Sequence, residues 1–228
     1  MKIFKLLLSV LDYIINWNAK LKEYCFRKKF GKIFGGGRER KFTFVLDYYK
    51  NPIQVTFNMG SCNAFILTYL SPLFDRFIGK YPNVILDKDF DSGDHHQTFI
   101  LLGSPFTNDA AARLLENNKY VRFKGIQDQA KSIEIIVPGY NKGPLQVEKG
   151  HYGIVLKLNN KYSDENFLFF LAGLTNESTS AAGLLLLENW DKIRKSVGRQ
   201  QFLILFEVDK PGNDTTYKVL FTDPDMPL

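Results

Sequence analysis

Three short segments of the 228-residue chain share a pattern able to hold a polar or anionic ligand: strand-forming residues, a glycine, a polar stretch containing asparagine, then a helix. They are Gly60-Ser61-Cys62-Asn63, Gly103-Ser104-Pro105-Phe106-Thr107-Asn108 and Gly173-Leu174-Thr175-Asn176-Glu177-Ser178-Thr179. Glycine permits a sharp turn or a close backbone approach, and the unpaired N–H groups of a helix start carry partial positive charge that suits an anion. The residues expected at a ligand are therefore Gly60, Ser61, Asn63, Gly103, Ser104, Asn108, Gly173, Thr175, Asn176, Ser178 and Thr179. The same residue types also cap helices and close ordinary strand-to-helix turns. Neither the phosphate-loop pattern GxxxxGK[ST] nor a GxGxxG following a strand is present.

Groups that could move protons are few. Asp87, Asp89, Asp91, Asp94, His95 and His96 precede the strand-like run 98–102. Asp94 and His95 are candidates for acid and base or for metal ligation, although a solvated connecting loop has the same composition. Glu177 could act as a base or accept from a ribose hydroxyl, and a carboxylate at a helix start is also stabilising in its own right. Ser61, Ser104 and Cys62 are candidate nucleophiles, but no G-x-S-x-G elbow accompanies them and His151 has no orienting partner evident in the sequence. Cys25 and Cys62 lack CxxC spacing and a neighbouring histidine cluster, so neither a zinc site nor a disulfide framework is expected. That usage fits a reducing, cytoplasmic compartment.

The elements that must position these groups alternate in type. Strand-like runs fall at 42–46, 54–57, 84–86, 98–102, 132–137, 152–158, 167–171 and 201–208. Helices are expected at 64–69, with Pro72 ending that one or opening another, at 108–116 and at 178–195. Residues 167–171 are apolar on both faces, as in a central strand covered on both sides. The pattern predicts an open, largely parallel α/β sheet of Rossmann-like type with an antiparallel extension, the three turns gathering at the carboxyl ends of its strands. Residues 138–150, with three glycines and two prolines, read as a mobile loop.

The charge is unevenly placed. Eleven of the 30 basic residues and three of the 24 acids lie in residues 1–41, a local charge of +8, whereas the rest of the chain carries 19 basic and 21 acidic groups. A nucleic-acid groove across the whole fold is disfavoured, because phosphate binding needs cations on the binding face itself. Residues 2–16 form an amphipathic helix with a wide apolar face; Asp12 breaks the apolar run well short of the roughly 20 residues a bilayer span needs. No small-residue cleavage site follows, so a signal peptide is not expected. This helix and the basic run Arg27, Lys28, Lys29, Lys32 either pack on the domain, on a protein partner or on a second copy through residues 1–30, or anchor the protein peripherally at the inner membrane. Gly35-Gly36-Gly37 reads as a flexible joint, dividing residues 1–37 from a domain at 38–228.

The stretch from Tyr152-Gly153-Ile154-Val155 through Ala172-Gly173 to Ala182-Gly183 and Asn189-Trp190 resembles a group of bacterial and archaeal Rossmann-like proteins with GGPxxN-like and AGxxxxGTxAA-like turns. Gly103-Ser104-Pro105 to Asn108 is similar to the first of these turns, with Ser104 for its second glycine; Ser178 stands for the glycine before Thr179. The layout is also similar to nucleotide-sensing domains of bacterial signalling and defence systems. The resemblance implies a sensor or effector subunit that recognises a nucleotide or another phosphorylated metabolite, with a nucleotide as the expected cofactor or ligand. Two alternatives stand beside it: a nucleoside or nucleotide hydrolase or transferase, and a structural subunit docking through its N-terminal helix.

Overall fold

The computed structural model describes residues 2–35, 41–47, 49–50, 57–58, 61–79, 81–92, 94–126, 129–136, 145–210 and 215–228. In chain order the elements are α1 (Lys2–Phe34), β1 (Phe42–Leu46), β2 (Tyr49–Lys50), β3 (Phe57–Asn58), α2 (Ser61–Ile78), β4 (Asn83–Leu86), a 3-10 turn (Asp87–Ser92) and β5 (Thr98–Leu102). Then come α3 (Asp109–Leu115), β6 (Val121–Ile126), β7 (Gln129–Ile135), β8 (Leu145–Glu148), β9 (Tyr152–Asn160), β10 (Ser163–Gly173), α4 (Asn176–Val197), β11 (Phe202–Lys210) and β12 (Thr216–Asp223).

Seven strands form the main sheet in the order β12-β11-β9-β10-β5-β1-β4. The strands β4, β1, β5 and β10 are parallel neighbours, β9 runs against both β10 and β11, and β12 runs against β11. Five strands thus share one direction and two oppose them, a mostly parallel sheet with an antiparallel side. Side chains of successive strand residues point to opposite faces, and here both faces are buried. Phe42, Phe44, Ile100, Leu102, Phe169 and Leu171 meet α1, α2 and α4 on one face. Val45, Phe99, Leu101, Phe170 and Ala172 meet the 3-10 turn, α3 and a small three-stranded antiparallel sheet, β6-β7-β8, on the other.

Several expectations change. The first helix does not stop near residue 16; it runs 33 residues to Phe34. Its last turns continue because Phe26, Phe30, Ile33 and Phe34 find a core: the Phe30 ring lies 4.2 Å from Phe34, 4.6 Å from Phe77 and 5.0 Å from Phe74. Burying each such ring contributes about 1.5–3 kcal/mol. Gly35, read as the start of a flexible joint, is instead buried at φ +72°, with Glu165 O and the Phe167 ring where a side chain would stand. Gly36 and Gly37 lie outside the described residues.

The second helix passes through Pro72, which is exposed and whose lost N–H is offset by Ile66, Leu70, Phe74 and Phe77 in the core. Of the strand expected at 54–57, only Phe57 is described, paired as part of β3 with β2. Of the strand expected at 132–137, residues 132–135 belong to β7 of the small sheet rather than to the main one, since β7 pairs with β6 and β8, and Val137 lies outside the described residues. Within the expected loop 138–150, Leu145–Glu148 is the strand β8, and 138–144 lie outside the described residues. No described helix is long and apolar enough to cross a membrane.

Candidate functional site

The connection from β1 leads through α2 on one face to β4, whereas that from β5 leads through α3 on the opposite face towards β9 and β10. Between the carboxyl ends of β1 and β5 the sheet order therefore reverses, which leaves a crevice of the kind that holds ligands in open α/β sheets. A cleft of about 380 Å³ lies there, lined by Asp47, Cys62, Gly103, Ser104, Thr107, Ala130, Lys131 and Gly173 to Glu177, with Thr179. That volume falls in the range of small-molecule sites.

The second and third turns meet in this cleft, supplying Gly103, Ser104, Gly173, Thr175, Asn176, Glu177 and Thr179. Gly60 lies outside the described residues, and Ser61 opens α2. Three expected ligand residues stand behind the cleft wall because the fold uses all their polar atoms. Asn108 is fully buried: its Nδ2 donates to Val45 O (3.1 Å) and Leu102 O (2.9 Å), while its Oδ1 accepts from Ala111 N (2.9 Å). One side chain thus ties the ends of β1 and β5 together and caps α3. Ser178 completes a capping box with Thr175, accepting from Thr175 N at 3.0 Å and sitting where a Cβ on Gly173 would fall. Gly173 therefore serves close packing of α4 on β10. Asn63, also fully buried, donates to the Asp47 carboxylate.

Of the two described turn glycines, Gly103 carries positive φ, +99°, and a side chain there would press on Thr107 Oγ1 at 2.9 Å. This sharp turn places Ser104, 5% exposed, in the cleft wall.

The helix starts do not offer free donors in the expected way. At α3, Asp109 N donates to the buried Asp87 carboxylate and Asn108 takes the next turn. At α4 the capping box is filled, and the Glu177 carboxylate accepts from its own backbone N–H and from Thr175, bonds that hold its pKa below the usual carboxylate value, with His151 adding to the effect. The anion that the helix start favours is thus the chain's own.

Asp47, which sequence reasoning missed, is the second carboxylate. Burial pushes its pKa up, the Asn63 bond opposes that, and Asp87 raises it further. Cys62 shares the cleft, within reach of Asn176 Oδ1 at 3.8 Å; burial, with Asp47 and Glu177 nearby, pushes its thiol up to about 11. A neutral thiol is a poor nucleophile. His151, without a partner in the sequence, has one in space: its Nδ1 lies 3.1 Å from Thr175 Oγ1 and 3.9 Å from Glu177 Oε2. Among the described lining residues Lys131 is the one cation, so the cleft has a negative balance.

Asp94, His95 and His96 sit elsewhere. They precede β5, so they occupy the amino edge of the sheet, about 16 Å of strand from the cleft. There Asp94 pairs with Lys41 at 3.2 Å and accepts from His96 N, and the His95 ring packs against Phe90 and Tyr162. No group of three or more potential metal ligands occurs among the described residues. Comparison with models of known protein families and with curated proteins finds no match.

Proposed function

We propose that the protein is a small-molecule-binding domain of Rossmann-like type, a sensor or effector subunit whose cleft holds the hydroxyl-rich part of a nucleoside or nucleotide. One observation carries this reading: the carboxylates of Asp47 and Glu177 converge on the crevice where the strand order reverses. Counted in chain order, the parallel strands lie second-first-third-fourth, one of the doubly wound orders. A carboxylate only accepts hydrogen bonds, and a ribose diol offers two donors. Acidic side chains take that role in dinucleotide-binding folds. Because the starts of α3 and α4 are already capped, the phosphates of a nucleotide would extend towards Lys131 rather than onto those helices.

Thermal-shift titration with nucleosides and nucleotides tests this. A ligand at 100 times its Kd stabilises the folded state by about 2.7 kcal/mol. The shift should be present for the unphosphorylated nucleoside and lost in Asp47→Asn and Glu177→Gln. Absence of any shift in a folded sample removes the proposal.

A second reading, a nucleoside or nucleotide hydrolase or transferase, draws support from the opposite displacement of two carboxyl pKa values in one cleft, Asp47 up and Glu177 down. Such a pair divides naturally into acid and base. Chromatographic product analysis decides between the two readings: turnover that Glu177→Gln abolishes while binding persists would favour the enzyme.

A further inference from the structure

We infer that the outward face of α1 is a docking surface for an anionic membrane. The last turns of α1 face the body through Phe26, Phe30 and Ile33, and the stripe on the other side points away from it. Trp17, Leu21 and Tyr24 recur at spacings of four and three, which puts them on one side of the helix; they are 59%, 49% and 63% exposed. Phe26 is two residues beyond Tyr24, about 200° further round the helix. The same outward side carries Lys20, Lys28 and Lys32, all exposed.

Charge selects the occupant. Between residues 15 and 35 the helix has six basic residues and one acid, Glu23. Glu23 is turned to the body, bonded to Arg27 at 2.9 Å and to Arg76 of α2 at 3.1 Å. The outward side is therefore apolar, aromatic and purely cationic. Trp and Tyr favour the headgroup level of a bilayer, and lysines beside them are drawn to anionic lipid. A second copy fits poorly, since a two-fold pairing through this face would set the lysine rows of both copies against each other. With no described helix able to span a bilayer, α1 would lie along the surface.

The test is co-flotation of the full chain with vesicles of phosphatidylcholine alone and of phosphatidylcholine mixed with phosphatidylglycerol. Binding is expected only to the mixed vesicles and should weaken with added salt. Lys20→Glu/Lys28→Glu should lower partitioning at least about tenfold, and Leu21→Ser/Tyr24→Ser should lower it comparably. Circular dichroism should be unchanged, because every altered side chain is exposed. Lys119→Glu/Lys161→Glu, the same charge change far from α1, should leave partitioning intact; an equal loss there would reduce the effect to net charge and overturn the assignment. No binding to either vesicle, or a dimer in light scattering that Leu21→Ser/Tyr24→Ser dissolves, would also overturn it.

Discussion

Replacing Lys157 by methionine should stabilise the protein. Lys157 lies on β9 with no exposed surface, its Nζ 3.4 Å from Gly198 O and 3.8 Å above the Phe167 ring. Burial, with Arg199 nearby, lowers the ammonium pKa from 10.5 to about 7. That displacement corresponds to roughly 5 kcal/mol by linkage when the folded protein carries the charge. The stack on Phe167 and the bond to Gly198 return roughly 2 kcal/mol. Methionine keeps the length and apolar contacts of the lysine stem, so at pH 6.5 it should add about 2–3 kcal/mol.

The pH dependence gives the argument its sign. With the folded pKa depressed, the unfolded chain binds more protons between pH 7 and 10.5, so wild-type stability rises with pH across that window. Lys157→Met lacks this rise of about 1.4 kcal/mol per pH unit, so its advantage should vanish near about pH 9. Urea titrations at pH 6.5 and 9.5, followed by the fluorescence of the half-buried Trp190, would read both effects. A variant less stable at both pH values, or an advantage equal at both, would refute the reasoning and show that the cation stack outweighs desolvation.

Asn108→Ala removes three hydrogen bonds and strands Val45 O and Leu102 O in the core, so the urea midpoint should fall by an amount equivalent to about 2–4 kcal/mol. Gly173→Ala drives a methyl group into Ser178 and should cost more than about 2 kcal/mol, read by thermal unfolding. At pH 8 a water-soluble disulfide reagent should label the exposed Cys25 and spare Cys62, whose thiol is protonated there; two rapidly reacting thiols in the folded protein would contradict that.

The central strands were legible because residues 42–46, 98–102 and 167–171 are apolar without alternation, the mark of burial on both faces. The turns were legible as turns, and Thr175 and Asn108 are caps, as their types suggest. What could not be read was which side of the turn each polar atom faces. Asn108 points inward because two strand carbonyls need a donor, a demand visible only once β1 and β5 are neighbours. Asp47 is one acid among many until the 16-residue separation from Asn63 is closed. The position of Asp94 and His95 was readable in principle: residues just before a parallel strand sit at its amino end, away from the turns that follow such strands. The small sheet escaped although Val121-Arg122-Phe123-Lys124 of β6 and Leu145-Gln146-Val147-Glu148 of β8 alternate apolar and polar residues, because each run is only four residues long and their pairing with β7 is what defines them.

The burial of α1 against later elements has a consequence for synthesis. Phe34 lies 5.1 Å from Phe169, and Phe26 and Phe30 meet Trp190, so α1, which also meets Phe74 and Phe77 of α2, completes its core only with residues made more than a hundred positions later. At translation rates of roughly 5–20 residues per second, the phenylalanine face of α1 waits on the order of ten seconds for its partners. Through that interval the inner side of the helix lacks its β10 and α4 partners, and whichever surface reaches it first, chaperone or lipid, competes with the domain for the same phenylalanines.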